Sequence, residues 1–526
     1  MTQRSAFIHG AIILFIAGFI NKILGFVYRI FSVRIVGTEG IGLYEMVFPI
    51  YTLILVITTA GVPLAISKLV SEQVSLGNHR QVKKIFRVAL SFLLAAGALF
   101  SIVLLFLTPI LVRTIFADPR VYWCLMTLAP AVFIISITSA FRGYFQGLQR
   151  MTPPAVSQII EQIARVAFGV YMASKFLPHG LEFGVAGLAA GTVLGEIFGL
   201  VVMLIAYIFH KNIPPLDGVK GEVTTASAAI LVSIFSFSIP ISLTRLVNSA
   251  QLALQAIIIP QRLHAAGYTF RQATEIYGQF SGIALALLSL PSIITFSLVI
   301  TLVPAISEAA AKKNYKLLRK RGTRAIQISL IAGIPSAVVF FLLPEQLCSI
   351  IFNSPGAAAP LKVLAAGSIF LYLAQTTSGI LQGLGKVGTQ LRNSSVGAVL
   401  ILAGLYYMTS IPTYGIIGAA LAMNMGWAVV AGLNLYSVGS FTGIHLDFRK
   451  FMIIPLLGAA AMGLTMYFSF LGFSILGLGT LSSTLGSIAI SVLVYLLCLF
   501  FTVIINKDVM AQIPGFGHMF NDFTMF

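Results

Sequence analysis

The chain has 526 residues, of which 58% are hydrophobic and only 9% are charged, and its mean hydropathy is +0.98. A soluble globular domain carries about a quarter charged residues, so the composition excludes that class and predicts a polytopic helical membrane protein. Three cysteines, Cys124, Cys348 and Cys498, lie far apart in apolar surroundings. They lack metal-ligand spacing and are expected to be packing residues, so no metal site is predicted.

Apolar segments of membrane-spanning length recur along the whole chain, and a spanning helix needs roughly 20 such residues. The first segment is interpreted as a span rather than a cleaved signal peptide, because no A-x-A-like cleavage site follows it. We predict an all-α polytopic membrane protein of fourteen transmembrane helices, with cores at 7–28, 43–66, 86–108, 122–144, 155–176, 185–208, 227–258, 279–306, 325–343, 362–384, 394–411, 416–437, 452–472 and 484–505.

The distribution of Lys and Arg predicts the orientation of these helices. The termini and loops on one side carry 22 of the 33 basic residues and the other side carries 8, while Lys22, Arg165 and Arg245 fall outside both groups. The positive-inside rule then places both termini in the cytoplasm. The run KKNYKLLRKRGTR (312–324) contributes more basic residues to this side than any other loop. We interpret it as a topology anchor that contacts anionic membrane lipids; no nucleic-acid module surrounds it, so no nucleic-acid partner is predicted.

Short matches between the two halves of the chain indicate an internal duplication. Four occur in order at offsets of about 231 to 241 residues, which predicts two parallel six-helix repeats. The predicted lobes are 1–210 (helices 1–6) and 211–440 (helices 7–12), followed by 441–526 with helices 13 and 14 and a cytoplasmic tail. The matches pair LTPILVRTIFAD (107–118) with LLPEQLCSIIFNS (342–354), GYFQGLQRM (143–151) with GILQGLGKV (379–387), GVAGLAAG (184–191) with GIIGAALA (415–422), and VPLAIS (62–67) with VPAIS (303–307).

Cations occur where lipid is expected, in the first and seventh predicted helices. The stretch FINKILGFVYRIFSVRIVG (19–37) carries Lys22, Arg29 and Arg34, and a gapped repeat alignment places Lys22 over Arg245. A cation deep in a span costs roughly 2.5–3.5 kcal/mol and usually faces protein or water. We therefore expect Lys22 and Arg245 to line a solvated cavity that suits a diphosphate. Arg29 is either an additional ligand near the outer mouth or, like Arg34, an interfacial anchor.

Carboxylates within the predicted spans offer a second candidate site. Glu161 and Arg165 are four residues apart and can pair along one helix face, as either an ion-coupling pair or a structural pair. Glu45 and Glu196 are further intramembrane carboxylates that a cation-coupled exporter could use.

Polar residues follow Arg245 along the seventh predicted helix. Asn248, Gln251 and Gln255 are spaced at helical intervals and form one stripe. Such a stripe either joins helices through hydrogen bonds or offers donors to a sugar, so Asn248 and Gln251 join Lys22, Arg29 and Arg245 as candidate substrate-binding residues.

Enzyme motifs are missing from the sequence. It contains no P-loop, HExxH or GxSxG, and its 15 acidic residues are scattered. We therefore predict a protein that is not an enzyme and needs no cofactor.

Several motifs resemble a known family. They are NKILGFVYRIFSVRIVG–EGIGLY (21–44), GVPLAISKLVSE (61–72), FRGYFQGLQRMTPPAVSQIIEQIAR (141–165) and LVPAISEA (302–309). They resemble the stage V sporulation protein B group, in the polysaccharide-transport branch of the multidrug/oligosaccharidyl-lipid/polysaccharide exporter superfamily. The resemblance implies a fourteen-helix flippase of the bacterial cell membrane. Its implied cargo is an undecaprenyl-pyrophosphate saccharide, lipid II for spore cortex peptidoglycan.

The resemblance also bears on individual residues. Lys22 stands at the Arg of a first-helix motif of the superfamily's lipid II flippases, and Arg34 matches a later Arg. Tyr28 occupies a place where those flippases have an essential Arg, so fewer cations are available here. Helices 13 and 14 border a groove for the lipid tail in such flippases, which suggests the same for GAAAMGLTMYFSFLGF (458–473).

Three functions remain open at this stage. A flippase needs cations for its anionic cargo, whereas a cation-coupled multidrug antiporter of the same fold needs carboxylates in its cavity. A glycosyl polymerase or a non-transporting scaffold of cell-wall synthesis is the third, with Asp118 as the available catalytic acid. Lipid-linked saccharide, membrane lipids and cell-wall synthesis enzymes are the candidate partners.

Overall fold

The computed structural model describes residues 3–209, 225–444 and 454–504, and these ranges contain helices and connecting turns without strands. The helices are Gln3–Thr59 (α1), Val62–Ser75 (α2), His79–Thr114 (α3), Tyr122–Gly147 (α4), Thr152–Phe176 (α5), Leu181–Phe209 (α6), Ser227–Ala265 (α7), Phe270–Tyr277 (α8), Leu285–Leu288 (α9), Ser292–Ala311 (α10), Tyr315–Leu342 (α11), Pro344–Phe352 (α12), Ala358–Gly383 (α13), Val387–Met408 (α14), Gly415–Thr442 (α15), Ile454–Ile475 (α16) and Thr480–Ile504 (α17). A π-helical segment, Gly278–Ala284, joins α8 to α9. The predicted all-α class is confirmed.

Glycines divide the first 75 residues into separate helical segments. Gly37 has φ 72° and ψ 179°, which breaks α1 into two arms. Gly61, with φ 67°, separates α1 from α2, and Pro63 lies in the first turn of α2. Positive φ favours glycine, and proline suits a first helical turn. The predicted helix at 43–66 is therefore wrong at its end, because it runs through this break.

One other predicted helix needs correction, and one observed helix was not predicted. The helix predicted at 279–306 is divided into the π-helical segment, α9 and α10, with Pro291 directly before α10. The short helix α12, which begins at Pro344, was not predicted. It holds Cys348, and burial raises the pKa of this thiol to about 12. The thiol stays protonated at neutral pH, as expected of a packing residue.

Local geometry repeats along the chain at the offset that the sequence matches indicate. Asn78 caps α3 with φ −88° and ψ 76°, and Asn314, 236 residues later, caps α11 with φ −86° and ψ 77°. Each side-chain oxygen accepts from the backbone N–H three residues on. After α4 and α13, Gln149 and Gly385, also 236 residues apart, both have positive φ. These shared turns support the predicted repeat.

Ten described helical segments are long and apolar enough to cross a membrane, or up to eleven if Ser227–Ile239 and Ser242–Ala265 form one broken span. Ile16–Ser75 counts once, although its 60 residues follow a helical path of about 90 Å, three times the hydrocarbon thickness, with interruptions at Gly37 and Gly61. This length is enough for more than one crossing. The protein is a multi-pass membrane protein, and fourteen spans with both termini inside remain a prediction.

The chain divides into two compact units. Residues 1–286 and 401–419 form unit 1, and residues 287–400 and 420–526 form unit 2. In unit 1, a buried core is built from α2, α3, α4, α6 and α7, and the rings of Phe86, Phe141, Tyr144 and Tyr207 contact one another there in tilted or edge-on arrangements. The core of unit 2 is built mainly from α10, α11, α13, α15 and α16. The predicted lobe boundaries at 210 and 440 do not coincide with the boundaries of these two units. The lobes describe the sequence repeat and remain a prediction.

Candidate functional site

A stripe of glycines brings α5 and α6 of unit 1 together. Gly187, Gly191 and Gly195 recur every four residues on α6, so they share one face. A Cβ added at Gly191 would lie 2.2 Å from the Cα of Gly169 on α5. Small residues allow this close backbone packing in membranes. The approach places Glu196 beside Arg165.

Four charged side chains meet at this contact. Arg165 Nη2 lies 2.7 Å from Oε1 of Glu161 and 2.9 Å from Oε1 of Glu196. Arg142, on α4, lies with its Nη2 2.6 Å from Oε2 of Glu161. The contact thus brings two arginines and two glutamates together. The predicted pairing of Glu161 with Arg165 is present, but as part of a larger network whose role in ion coupling or structure remains open.

Arg29 is tied to a carboxylate across the bend of α1. Its Nη1 pairs with Oε1 of Glu45, which lies beyond Gly37. The second oxygen of Glu45, Oε2, accepts a hydrogen bond from Ser281 Oγ at 2.9 Å. The Tyr277 hydroxyl donates to the Glu45 backbone carbonyl at 3.4 Å. Only 25% of the Arg29 side chain and 10% of the Glu45 side chain are exposed, so the charges are matched and largely shielded.

A cavity of about 250 Å³ in unit 1 borders this pair. It lies among α1, α7 and the π-helical segment. Polar groups and aromatic rings share its wall. The lining includes Glu45, Phe48, Ser249, Gln255, Tyr277 and Phe280.

The remaining predicted ligands lie on α1 and α7, two helices that pack against each other. Lys22, Arg245 and Asn248 have exposed side chains, and Gln251 is half-buried. Arg245 forms no ion pair with any residue of the described ranges. The polar stripe of α7 thus runs from an accessible cation to the buried Gln255, which lines the cavity. Joint substrate binding by these residues remains a prediction.

Asp118 belongs to an ion-pair network and is 1% exposed. Arg120 contacts both of its oxygens, Nε to Oδ1 at 3.0 Å and Nη2 to Oδ2 at 2.7 Å. Arg120 and Arg271 also bind the two oxygens of Glu39, at 2.7 and 2.9 Å. Thr274 Oγ1 donates to Asp118 Oδ2 at 3.0 Å. The geometry ties this carboxylate to its neighbours rather than presenting it to a reacting group.

Unit 2 holds an apolar groove of about 290 Å³. Small residues open it, among them Ala365 of α13 and Ala459 and Gly463 of α16. Phe341 of α11 and Ile369 of α13 form larger parts of its wall. Its apolar lining suits hydrocarbon.

Several of these contacts escaped the sequence analysis. Arg142 is absent from the predicted site residues, although it falls within the predicted helix core 122–144, and it lies half-buried inside α4. The apolar sequence around it, SAFRGYFQG, is a helical signal that could have indicated this. The pairing of Arg29 with Glu45 depends on the bend at Gly37, which spacing along a straight helix does not reveal.

Comparisons with known proteins cover most of the chain. Residues 7–310 match the model of a family described as polysaccharide biosynthesis protein, and residues 281–408 match the MatE model. The chain is 32% identical over 524 residues to stage V sporulation protein B of Bacillus subtilis (strain 168), covering 98% of this chain and 99% of the relative. It is 26% identical to lipid II flippase MurJ of the same strain, covering 81% of each.

Solved structures share the fold. A lipid II flippase MurJ in an inward closed conformation matches with a TM-score of 0.71 at 16% identity, covering 94% of this chain and 100% of the other. An inward-facing multidrug resistance MATE family transporter matches with a TM-score of 0.67 at 17% identity, covering 80% and 95%. With its family model matched over more than half its length, the chain belongs to the polysaccharide biosynthesis protein family, in the polysaccharide-transport branch of the multidrug/oligosaccharidyl-lipid/polysaccharide exporter superfamily.

Proposed function

We propose that this protein is a flippase that exports a lipid-linked, pyrophosphate-bearing cell-wall saccharide by alternating access of two lobes. The observation that carries the proposal is the similarity, along 81% of both chains, to a protein named lipid II flippase. We further propose lipid II for spore cortex peptidoglycan as the cargo, since another relative, similar along nearly the whole chain, is named stage V sporulation protein B.

The cations of unit 1 supply chemistry for the anionic part of such a cargo. Lys22 lies on the first arm of α1 and Arg245 lies on α7, and both are exposed. A guanidinium can bind a phosphate through two parallel hydrogen bonds, and an ammonium adds a compact charge. We assign the diphosphate to these two residues. Arg29 contributes less, because Glu45 already neutralises it.

The apolar groove of unit 2 offers a place for the prenyl chain. The prenyl chain would enter the groove from lipid, which is equally apolar, so its contribution comes from van der Waals packing against the groove wall. A free sugar nucleotide has no prenyl chain to make these contacts. Ala459 and Gly463 lie in the 458–473 segment that the family resemblance assigns to the tail.

The competing functions are less well supported. A cation-coupled antiporter needs accessible carboxylates, whereas Glu45, Glu161 and Glu196 are each bound to an arginine. A polymerase needs a free catalytic acid, and Asp118 is engaged by Arg120 and Thr274.

A flipping assay tests the proposal. The protein is reconstituted in liposomes with a fluorescent undecaprenyl-pyrophosphate saccharide, and the accessibility of the lipid to an external quencher is followed with time. Wild-type protein should accelerate transfer, and Lys22→Ala and Arg245→Ala should each slow it at least tenfold, the equivalent of about 1.4 kcal/mol.

Each outcome of that assay separates two claims. Full transfer in both variants would contradict the assignment of the diphosphate to Lys22 and Arg245 but would still support a flippase. No transfer by folded wild type, with ion gradient and voltage applied, would contradict the function itself. Lys68→Ala, on an exposed face of α2, is the matched control and should transfer at the wild-type rate.

A further inference from the structure

We propose that the 250 Å³ cavity among α1, α7 and the π-helical segment is a binding site for one uncharged sugar ring, with Gln255 and Glu45 as its hydrogen-bonding residues. The inference rests on the proposed function in one respect, since the ring would belong to the lipid-linked saccharide. The diphosphate assignment concerns other residues, Lys22 and Arg245. The two assignments therefore can fail separately.

The charge of the cavity favours a neutral ligand. Glu45 is the charged residue of its lining, and Arg29 neutralises it through Oε1 while Ser281 binds Oε2. A cation would have to compete with a guanidinium already in place. A phosphate would meet a carboxylate. A hydroxyl group can add to the carboxylate's remaining lone pairs without disturbing either partner.

Gln255 supplies an unmatched polar group. Its side chain is 5% exposed, and its Nε2 finds no hydrogen-bond acceptor among the described residues. A buried donor without a partner costs about 1–3 kcal/mol. A ligand that brings a hydroxyl or acetamido oxygen to this amide removes that cost. Ser249, six residues earlier on α7 and also buried in the cavity lining, offers a hydroxyl to the same ligand.

Size and shape select a single ring. Pockets for drug-sized ligands measure about 300–1,000 Å³, so a cavity of about 250 Å³ suits a smaller molecule. Phe48, Tyr277 and Phe280 line it with aromatic surface. A pyranose presents apolar C–H groups on its faces and hydroxyls around its edge, which matches aromatic walls with polar groups between them.

The test measures binding to the detergent-solubilised full chain, of free N-acetylglucosamine by saturation-transfer NMR and of inorganic pyrophosphate by isothermal titration calorimetry. Gln255→Met keeps the length of the side chain and removes the amide. It should weaken N-acetylglucosamine binding about fivefold, the effect of one neutral hydrogen bond. Pyrophosphate binding should not change. The unfolding temperature should stay level or rise, because an unsatisfied polar group has been replaced by an apolar one.

Gln390→Met is the matched control, because Gln390 is another buried glutamine with an unpartnered amide atom, in unit 2. It should leave sugar binding unchanged. Ser249→Leu is a second probe, since it fills part of the cavity and should abolish sugar binding in folded protein. Wild-type sugar binding in both Gln255→Met and Ser249→Leu would overturn the inference. A lowered unfolding temperature with equal loss of both ligands would make Gln255 a structural residue and would overturn it too.

The flipping assay separates this inference from the proposed function. If the wild type transfers lipid and Gln255→Met binds sugar unchanged, the flippase function is supported and the sugar site is contradicted. If sugar binding depends on Gln255 but the protein transfers no lipid, the sugar site is supported and the flippase function is contradicted.

Discussion

At the scale of single residues, the ion pair between Arg29 and Glu45 separates a structural role from a ligand role. Removing one partner of a shielded pair leaves an uncompensated charge, whereas removing both does not. Arg29→Met should lower the free energy of unfolding by about 3 kcal/mol, and Arg29→Met with Glu45→Gln should cost at least about 1 kcal/mol less than the sum of the single changes. Denaturant unfolding in detergent measures all three.

A surface pair provides the control for that cycle. Lys68 and Glu72 lie 3.6 Å apart on α2, with about half of each side chain exposed. Their coupling should not exceed about 0.5 kcal/mol. Strict additivity at Arg29 and Glu45 would mean that the pair does not stabilise the bend, and would leave Arg29 available to cargo or headgroups.

At the scale of helices, the contact of the second arm of α1 with α8 and the start of the π-helical segment depends on glycine. A Cβ added at Gly278 would lie 1.9 Å from the carbonyl oxygen of Thr38, and one at Gly42 would lie 2.1 Å from that of Thr274. Backbone atoms cannot yield as a side chain can. Gly278→Ala should therefore destabilise the protein by about 1–3 kcal/mol and reduce sugar binding at the adjacent cavity.

Thermal unfolding checks this prediction against a glycine in open space. Gly472, in α16, has no atom within 4 Å of an added Cβ. Gly472→Ala should be neutral or stabilising, because alanine favours helix by about 1 kcal/mol. Equal unfolding temperatures for the two variants would show that α8 can shift to admit a methyl group.

The helices themselves could be predicted from the sequence, because long apolar runs determine them. Their breaks could not, since Gly61 and Pro291 occur in segments that stay apolar on both sides. Helical spacing correctly suggested that Glu161 can reach Arg165. Contacts between distant segments, such as Arg142 with Glu161, depend on how helices pack against each other. The spacing of residues within one helix does not predict that packing.

At the scale of the whole molecule, the distribution of basic residues predicts the side on which each loop lies. Lys313 and Arg271 are exposed residues predicted on opposite sides, cytoplasmic and external. In a chain whose three cysteines are replaced, Arg271→Cys should react with a membrane-impermeant maleimide in intact cells. Lys313→Cys should react only after the membrane is opened.

Labelling of both positions in intact cells, or of Lys313→Cys alone, would contradict the predicted orientation. An even number of crossings separates two positions on the same side. Mapping further loops in this way would therefore also test the fourteen-span count.

The bend at Gly37 constrains the number of residues between it and Glu45. Glu45 contacts both Arg29 and Ser281, and both contacts depend on the direction in which its side chain leaves the helix. Each residue of an α-helix turns the chain by about 100°. Inserting or deleting one residue between positions 38 and 44 would swing the carboxylate away from both partners and out of the cavity wall. Apart from glycines in close contact such as Gly42, evolution can thus exchange side chains in this segment but cannot easily alter their number, so gaps in an alignment of functional relatives should avoid it.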